Sequence, residues 1–376
     1  MTYKLFIPGP CEVDDAVLQA MAQPTPRHYG SEWMAIYDET MALLKQVFQT
    51  ENELFLVPAS GSALMDMAYG SLLQEGETIV VGVNGFFGQR LRTIATAHGL
   101  RTVPFTAPHG RPLDPDKLRR VLDKEPEVRA VTFVHHETAT TVLNPLQELA
   151  AVAQEAGVPI IVDAISSLGG VPLPVDEWGI DVCVTVANKC LECPPGLAFI
   201  SVGPQAWELV DRKDGPTHGW YLDLRTWRHY ATEWTDWHPY PVTLPTNNIL
   251  GLRRSLHRIL EKEGLEGHYA RIRTAAQTIR QGLRDLGFEM LVDEAVASPV
   301  ATAVCAHPAF PVQDLTEYLA EQHDILVSVG LGPLAGKIFR VGHMGKASTE
   351  PYLKMFLSAV EAFMVQRGVD VPVEAR

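Results

Sequence analysis

Two residues of this chain combine a reactive side chain with a setting that would make it useful, Asp163 and Lys189. Asp163 closes Ile160-Ile161-Val162-Asp163, an apolar run with the length of a buried strand, and open α/β sheets place ligand-contacting groups at the C-terminal ends of their strands. A carboxylate buried there is costly unless a cation meets it. Ala187-Asn188-Lys189-Cys190 follows the next apolar run, so Lys189 and its neighbour Asn188 enter the same crevice. Taken alone, the pair is compatible with a structural ion pair, with a helix cap, or with a nucleophilic lysine served by an acid.

Other groups fall on the same edge. Pro58-Ala59-Ser60-Gly61-Ser62-Ala63 follows a strand-like run and opens a helix. Such a turn offers free N–H groups, the positive end of a helix dipole and two serine hydroxyls to a phosphate, and it would equally serve as a plain N-cap. In Asn84-Gly85-Phe86-Phe87-Gly88, Phe87 is placed either to stack on a flat heteroaromatic ring or to fill the core. His135-His136-Glu137-Thr138 ends a further strand and offers the Thr138 hydroxyl; adjacent histidines on a strand point to opposite faces, so no metal site is expected. A buried aspartate, a lysine and a phosphate-binding turn are the parts that a pyridoxal phosphate site requires. The lysine carries the cofactor as a Schiff base, and the aspartate holds the pyridine nitrogen protonated as an electron sink.

Positioning these groups needs a layered scaffold. From about residue 52 to 202, β-rich runs at 54–57, 78–82, 102–105, 130–135, 160–163, 182–186 and 197–202 alternate with helical stretches near 62–74, 87–99, 114–125 and 145–156. That pattern predicts an α/β fold with a largely parallel sheet sandwiched by helices. Residues 213–245, rich in Gly, Pro, His and Trp, read as an irregular excursion. Helices over 246–263 and 267–286 follow. Strands at 301–306, 325–328 and 338–341 with helices at 312–323 and 349–366 then predict a smaller C-terminal α+β domain. The expected division is an N-terminal arm (1–20), a large cofactor-binding domain (21–250), and linking helices with a small domain (251–376).

Composition narrows the function classes. The 376 residues are 46% hydrophobic and 20% charged, close to a globular average, which excludes fibrous, disordered and disulfide-scaffold classes. With 31 basic against 45 acidic side chains the net charge is −14, which argues against nucleic-acid or membrane-surface partners. Five cysteines (Cys11, Cys183, Cys190, Cys193 and Cys305) and a short apolar run before Pro8 predict reduced thiols and a cytoplasmic protein. No stretch approaches the ~20 apolar residues of a membrane span. Cys190-Leu191-Glu192-Cys193 lacks a second pair and reads as two packed thiols rather than a zinc or redox motif. Trp220, Trp227, Trp234 and Trp237 are expected either to cover the substrate entrance or to pack a long loop.

Three runs carry a resemblance: Val162-Asp163-Ala164-Ile165-Ser166-Ser167-Leu168-Gly169-Gly170, Asn188-Lys189-Cys190-Leu191-Glu192-Cys193-Pro194-Pro195-Gly196, and Phe339-Arg340-Val341-Gly342-His343-Met344-Gly345. They resemble the class V, fold-type I pyridoxal phosphate aminotransferases, above all the alanine/serine–glyoxylate group with its pyridoxamine–pyruvate and 2-aminoethylphosphonate–pyruvate relatives. The likeness extends from Pro8-Gly9-Pro10 to about residue 365. It implies Lys189 as the Schiff-base lysine, Asp163 as the pyridine-nitrogen partner and Phe87 as the stacking ring. Ser60, Gly61 and Ser62 would form the phosphate cup, with Asn188 and the Thr138 hydroxyl beside the cofactor. Tyr240 and Thr243 would reach the phosphate from the neighbouring subunit of a homodimer, and Arg340 would grip the substrate carboxylate. The implied reaction is ping-pong transfer from alanine or serine to glyoxylate or pyruvate. Alternatives are a 2-aminoethylphosphonate transaminase, with Arg27 and His28 as the phosphonate ligands, a pyridoxamine–pyruvate transaminase, and a lyase such as a cysteine desulfurase using Cys190 or Cys193. A non-enzymatic binding role is the last alternative.

Overall fold

Runs of valine, isoleucine and leucine that are buried on both faces need helices above and below them, and the chain supplies both. A computed structural model describes residues 3–213 and 219–369. In it seven strands form one sheet in the order Glu53–Val57, Ala198–Val202, Val182–Val186, Ile160–Asp163, Val128–Val134, Thr78–Val83 and Arg101–Thr106. Only Ala198–Val202 runs against its neighbours. The remaining pairings are parallel, and parallel strands require crossovers. The helices Gly61–Leu72, Phe86–Ala97, Pro115–Lys124 and Leu146–Glu155 lie between successive parallel strands and provide them. The strands Ile160–Asp163, Val182–Val186 and Ala198–Val202 are buried at every position. The expected α/β class and mostly parallel sheet are therefore observed, with each strand within two residues of its expected ends.

Local signals explain several boundaries. The Asp114 carboxylate accepts from the Asp116 N–H at 2.9 Å, and Pro115 occupies the first turn of its helix, as the capping pattern predicts. Register sets Asp163 opposite Val134 on one side and Val184 on the other, so the strands closed by Val134 and Asp163 end at one level while Val182–Val186 runs two residues further.

Three features depart from expectation. Segment 213–245 is not irregular throughout: Leu224–Glu233 is a helix, started by Asp223, whose carboxylate accepts from the Arg225 N–H at 2.9 Å. Of that helix only Leu224 and Trp227 are buried, too few to write an apolar stripe into the sequence. Helices Asp15–Met21, Ser31–Phe48 and Pro204–Asp211 add to those expected. The single strand expected at 325–328 is two: Ile325–Leu326 pairs in parallel with Lys4–Leu5, whereas Ser328–Val329 pairs with Ile338–Gly342, whose other neighbour is Ala301–Cys305.

Buried side chains form two main clusters. One is drawn from Val17 to Leu256 and wraps the large sheet. The other joins Phe6 to residues between Ala275 and Met364. Phe6, near the start of the chain, thus packs in the core built by its end. Among the described residues no helix is long and apolar enough to cross a membrane.

Candidate active site

A cavity of about 470 Å³ opens at the carboxyl edge of the parallel strands. Ser60, Gly61, Ser62, Phe87, Thr138, Asp163, Asn188 and Lys189 all line it. The topology accounts for this convergence, because each of these residues follows or closes a strand that ends at that edge. Ala198–Val202 runs the other way, so it is the segment preceding it, Pro195-Gly196, that reaches the same place.

Ser60 caps the helix Gly61–Leu72, its Oγ accepting from the Ala63 N–H at 3.3 Å. A Cβ on Gly61 would overlap Ile165, another residue of the cavity wall, so glycine permits the close approach. The Asp163 carboxylate accepts from the Ile165 N–H at 3.0 Å, and among the described residues no salt bridge reaches it. Burial pushes its pKa up to about 7. Lys189 is half-buried, and loss of solvation lowers its pKa to about 8. Its ammonium donates to the carbonyl of Pro8. Gly9, at φ +110°, leaves room for the lysine, since a Cβ there would overlap Lys189 Cδ and Nζ.

The isolated carboxyl has a measurable consequence. A group whose folded pKa lies above its unfolded value holds its proton more tightly in the folded state, so stability falls as pH rises from about 4 to about 7. Asp163→Asn removes that penalty. In urea unfolding of the ligand-free protein, the variant is expected to be more stable than the parent by roughly 2–4 kcal/mol at pH 8 and equal to it near pH 4, at ~1.4 kcal/mol per pKa unit. The reverse order at pH 8 would show that the folded chain stabilises the ionised carboxylate.

Arg340 lies beside the cavity rather than in its wall. Its Nε and Nη2 donate to the Val329 carbonyl at 3.3 and 2.9 Å, and its Nη1 donates to the Thr138 carbonyl at 3.0 Å. Burial lowers its pKa to about 10, which leaves it charged at neutral pH. A guanidinium has five N–H groups, so one on each Nη is still unused. Two parallel donors are what a carboxylate accepts.

Tyr240 and Thr243 are not brought to this cavity. Tyr240 is 0% exposed. Its hydroxyl accepts from Trp33 Nε1 at 2.6 Å and donates to the His28 carbonyl, so in the single chain it has no surface to offer a neighbour. Thr243 is the exposed member of the pair. Arg27 and His28 are not in the cavity wall of the single chain either: Arg27 lies over the Tyr29 ring, and His28 meets His238 at 3.1 Å and the Thr243 hydroxyl at 3.5 Å. None of the four tryptophans lines the cavity, and Trp227, fully buried with Nε1 bonded to the Tyr221 carbonyl, belongs to the core. Cys190 and Cys193 are buried free thiols whose pKa values burial raises, the opposite of what a nucleophile needs.

Sequence reasoning missed several groups. Pro8 and Gly9 entered it only as the start of a likeness. Glu137 was passed over for its neighbours, yet its buried carboxylate sits behind Phe87. Glu192, also buried, accepts from Arg271 Nη2 and the Gly345 N–H, each at 2.9 Å, and from Arg258, tying the lysine loop to the C-terminal layer. The one signal available for either glutamate was a charge inside an otherwise buried stretch.

Comparison with known proteins places these features in context. The family model described as Aminotransferase class-V matches residues 12–354. An uncharacterized aminotransferase of Methanocaldococcus jannaschii is 36% identical, over 98% of this chain and 94% of its own length. The L-aspartate–glyoxylate aminotransferase of Paracoccus denitrificans is 30% identical, over 98% of this chain and 92% of its own. The crystal structure of an alanine–glyoxylate aminotransferase from Nostoc sp. superposes with a TM-score of 0.91 at 31% identity, covering 97% of this chain and 96% of that one.

Proposed function

The chain belongs to the class-V aminotransferases, and from that premise we propose that it transfers an amino group from a small amino acid, alanine or serine, to glyoxylate or pyruvate, with pyridoxal phosphate in the cavity. The observation that carries this reading is that Asp163 and Lys189 face one cavity whose floor is a helix N-terminus. The residues present fit the cofactor. A buried carboxyl without a cationic partner suits a protonated pyridine nitrogen, which supplies the missing positive charge. Ser60, Gly61 and Ser62 suit its phosphate, Phe87 and Ile165 suit the two faces of its ring, and Asn188 and the Thr138 hydroxyl suit its edge. When bound, the cofactor supplies an electron sink for the bonds at the substrate α-carbon.

The chain's own groups do the rest. Lys189, with a pKa drawn toward neutrality, holds and moves the proton at the substrate α-carbon. The two unused N–H groups of Arg340 orient the substrate carboxylate, amino donor and oxo acid in turn, so both half-reactions use one anion site. Two named relatives act with glyoxylate, which supports an oxo acid of that size as acceptor. We extend the proposal to a cytoplasmic homodimer in which Thr243 is offered to the neighbour's phosphate and Tyr240 acts through His28, whose carbonyl accepts from the Tyr240 hydroxyl and whose Nε2 lies 3.5 Å from Thr243 Oγ1. The division at 20 and 250 into arm, large domain and small domain stands with it.

The test is a donor screen. Loaded enzyme is mixed with each amino donor in the absence of acceptor, and loss of the cofactor's visible band is timed. Alanine and serine are expected to bleach it fastest, with recovery on adding glyoxylate or pyruvate. Faster bleaching by 2-aminoethylphosphonate or pyridoxamine would replace the proposed donor.

A further inference from the structure

The helix Phe86–Ala97 begins without a side-chain cap of its own, because its N-cap is Gly85. Its first N–H groups nevertheless have partners. Glu137 Oε2 accepts from Gly88 at 2.9 Å and Phe87 at 3.1 Å, while Oε1 accepts from Ala139 at 3.0 Å and Phe87 at 3.3 Å. A carboxylate at a helix N-terminus meets both the orphan donors and the positive end of the dipole. This one is fully buried and comes from 50 residues away.

The glycines of Asn84-Gly85-Phe86-Phe87-Gly88 make the arrangement possible. A Cβ on Gly85 would overlap the Glu137 carboxyl group, and one on Gly88 would come within 2.6 Å of the Gly82 carbonyl. Glu137 is itself held in a short antiparallel ladder, opposite Val142. The next residue, Thr138, lends its carbonyl to Arg340.

We propose that Glu137 is a positioning residue for amino-group transfer: its carboxylate fixes the first turn of the helix Phe86–Ala97, and so sets the Phe87 ring against the cofactor. This rests on the cofactor reading given above. A mere cap would protect the fold; a positioning residue must also govern how the ring meets the ligand. Glutamine at 137 keeps the shape but turns one acceptor into a donor facing N–H groups, and it removes the charge that strengthens the remaining bonds.

The experiment compares Glu137→Gln, Gly85→Ala, Phe87→Ala and the Glu137→Gln/Phe87→Ala double variant. Pyridoxal phosphate affinity is measured by titration, the circular dichroism of the bound cofactor's visible band is recorded, and the melting temperature of the cofactor-free protein is determined. Glu137→Gln and Gly85→Ala are each expected to weaken cofactor binding about tenfold and to move the dichroic band toward that of Phe87→Ala. The double variant is expected to bind no more weakly than Phe87→Ala alone, because Glu137 acts through that ring. Should Glu137→Gln fail to fold, Gly85→Ala decides, since it displaces the carboxylate without removing it. Wild-type affinity and band shape in the folded variants, whatever the change in melting temperature, would overturn the proposal, as would fully additive losses in the double variant. Absence of a visible band in the wild-type protein would overturn the cofactor reading, and this proposal with it, before any variant is made.

Discussion

Lys189→Ala is expected to reduce amino-group transfer by at least ~10⁴-fold, the upper range of what one positioned acid–base group contributes, because the same amine also attaches the cofactor. Among the described residues no other lysine lines the cavity. The phosphate cradle, Asp163 and Phe87 remain in the variant, so pyridoxal phosphate is expected to bind, only without a covalent link. Two measurements check this: turnover with alanine and glyoxylate, and the mass of the chain after borohydride treatment, which fixes the cofactor to the parent and leaves the variant unlabelled. A small primary amine such as methylamine is expected to restore part of the rate, because the space left by the side chain admits one. A variant that borohydride still labels at a single site would remove Lys189 from its role.

Arg340→Lys has the next largest expected effect. The guanidinium spends three N–H groups on the carbonyls of Val329 and Thr138 and keeps two for a carboxylate; an ammonium has three donors in all and cannot meet both demands. Breaking a buried charged pair of this kind costs on the order of 2–4 kcal/mol, which corresponds to roughly a hundredfold or more at ~1.4 kcal/mol per tenfold. The loss is expected in both half-reactions alike, measured as single-turnover bleaching by alanine and recovery with glyoxylate. An alanine half-reaction left at the parent's rate would show that donor and acceptor use different anion sites.

The parts of the fold and site that could be read in the sequence share a property: each is written within a few neighbouring residues. Ile160–Asp163 and Val182–Val186 are continuous apolar runs because helices cover both sheet faces, and their C-terminal ends marked Asp163 and Lys189 as crevice residues. Asp114-Pro115 marked a helix start in the same local way. What could not be read depends on contacts across long stretches of chain. Nothing near Lys189 announces that its ammonium meets Pro8, 181 residues earlier, and nothing near Phe87 announces Glu137. Tyr240 shows the limit from the other side. Its motif pointed outward to a neighbour, but the Trp33 N–H and the His28 carbonyl had already taken its hydroxyl.

The arm that reaches Lys189 also dictates an order of assembly during synthesis. Lys4–Leu5 pairs with Ile325–Leu326, Phe6 accepts from the Gly342 N–H, and Glu12 accepts from Tyr352, 340 residues away. At roughly 5–20 residues per second, the ribosome makes those partners tens of seconds after the arm has emerged. Every strand of the large sheet has left the ribosome by then, and the arm is held on one side only, where the Cys11 N–H donates to the Asn188 carbonyl at 3.2 Å. A nascent chain halted before residue 325 therefore carries the crevice with its arm anchored at the lysine loop alone, and the strand pairing that closes over Lys4–Leu5 comes only with the C-terminal layer.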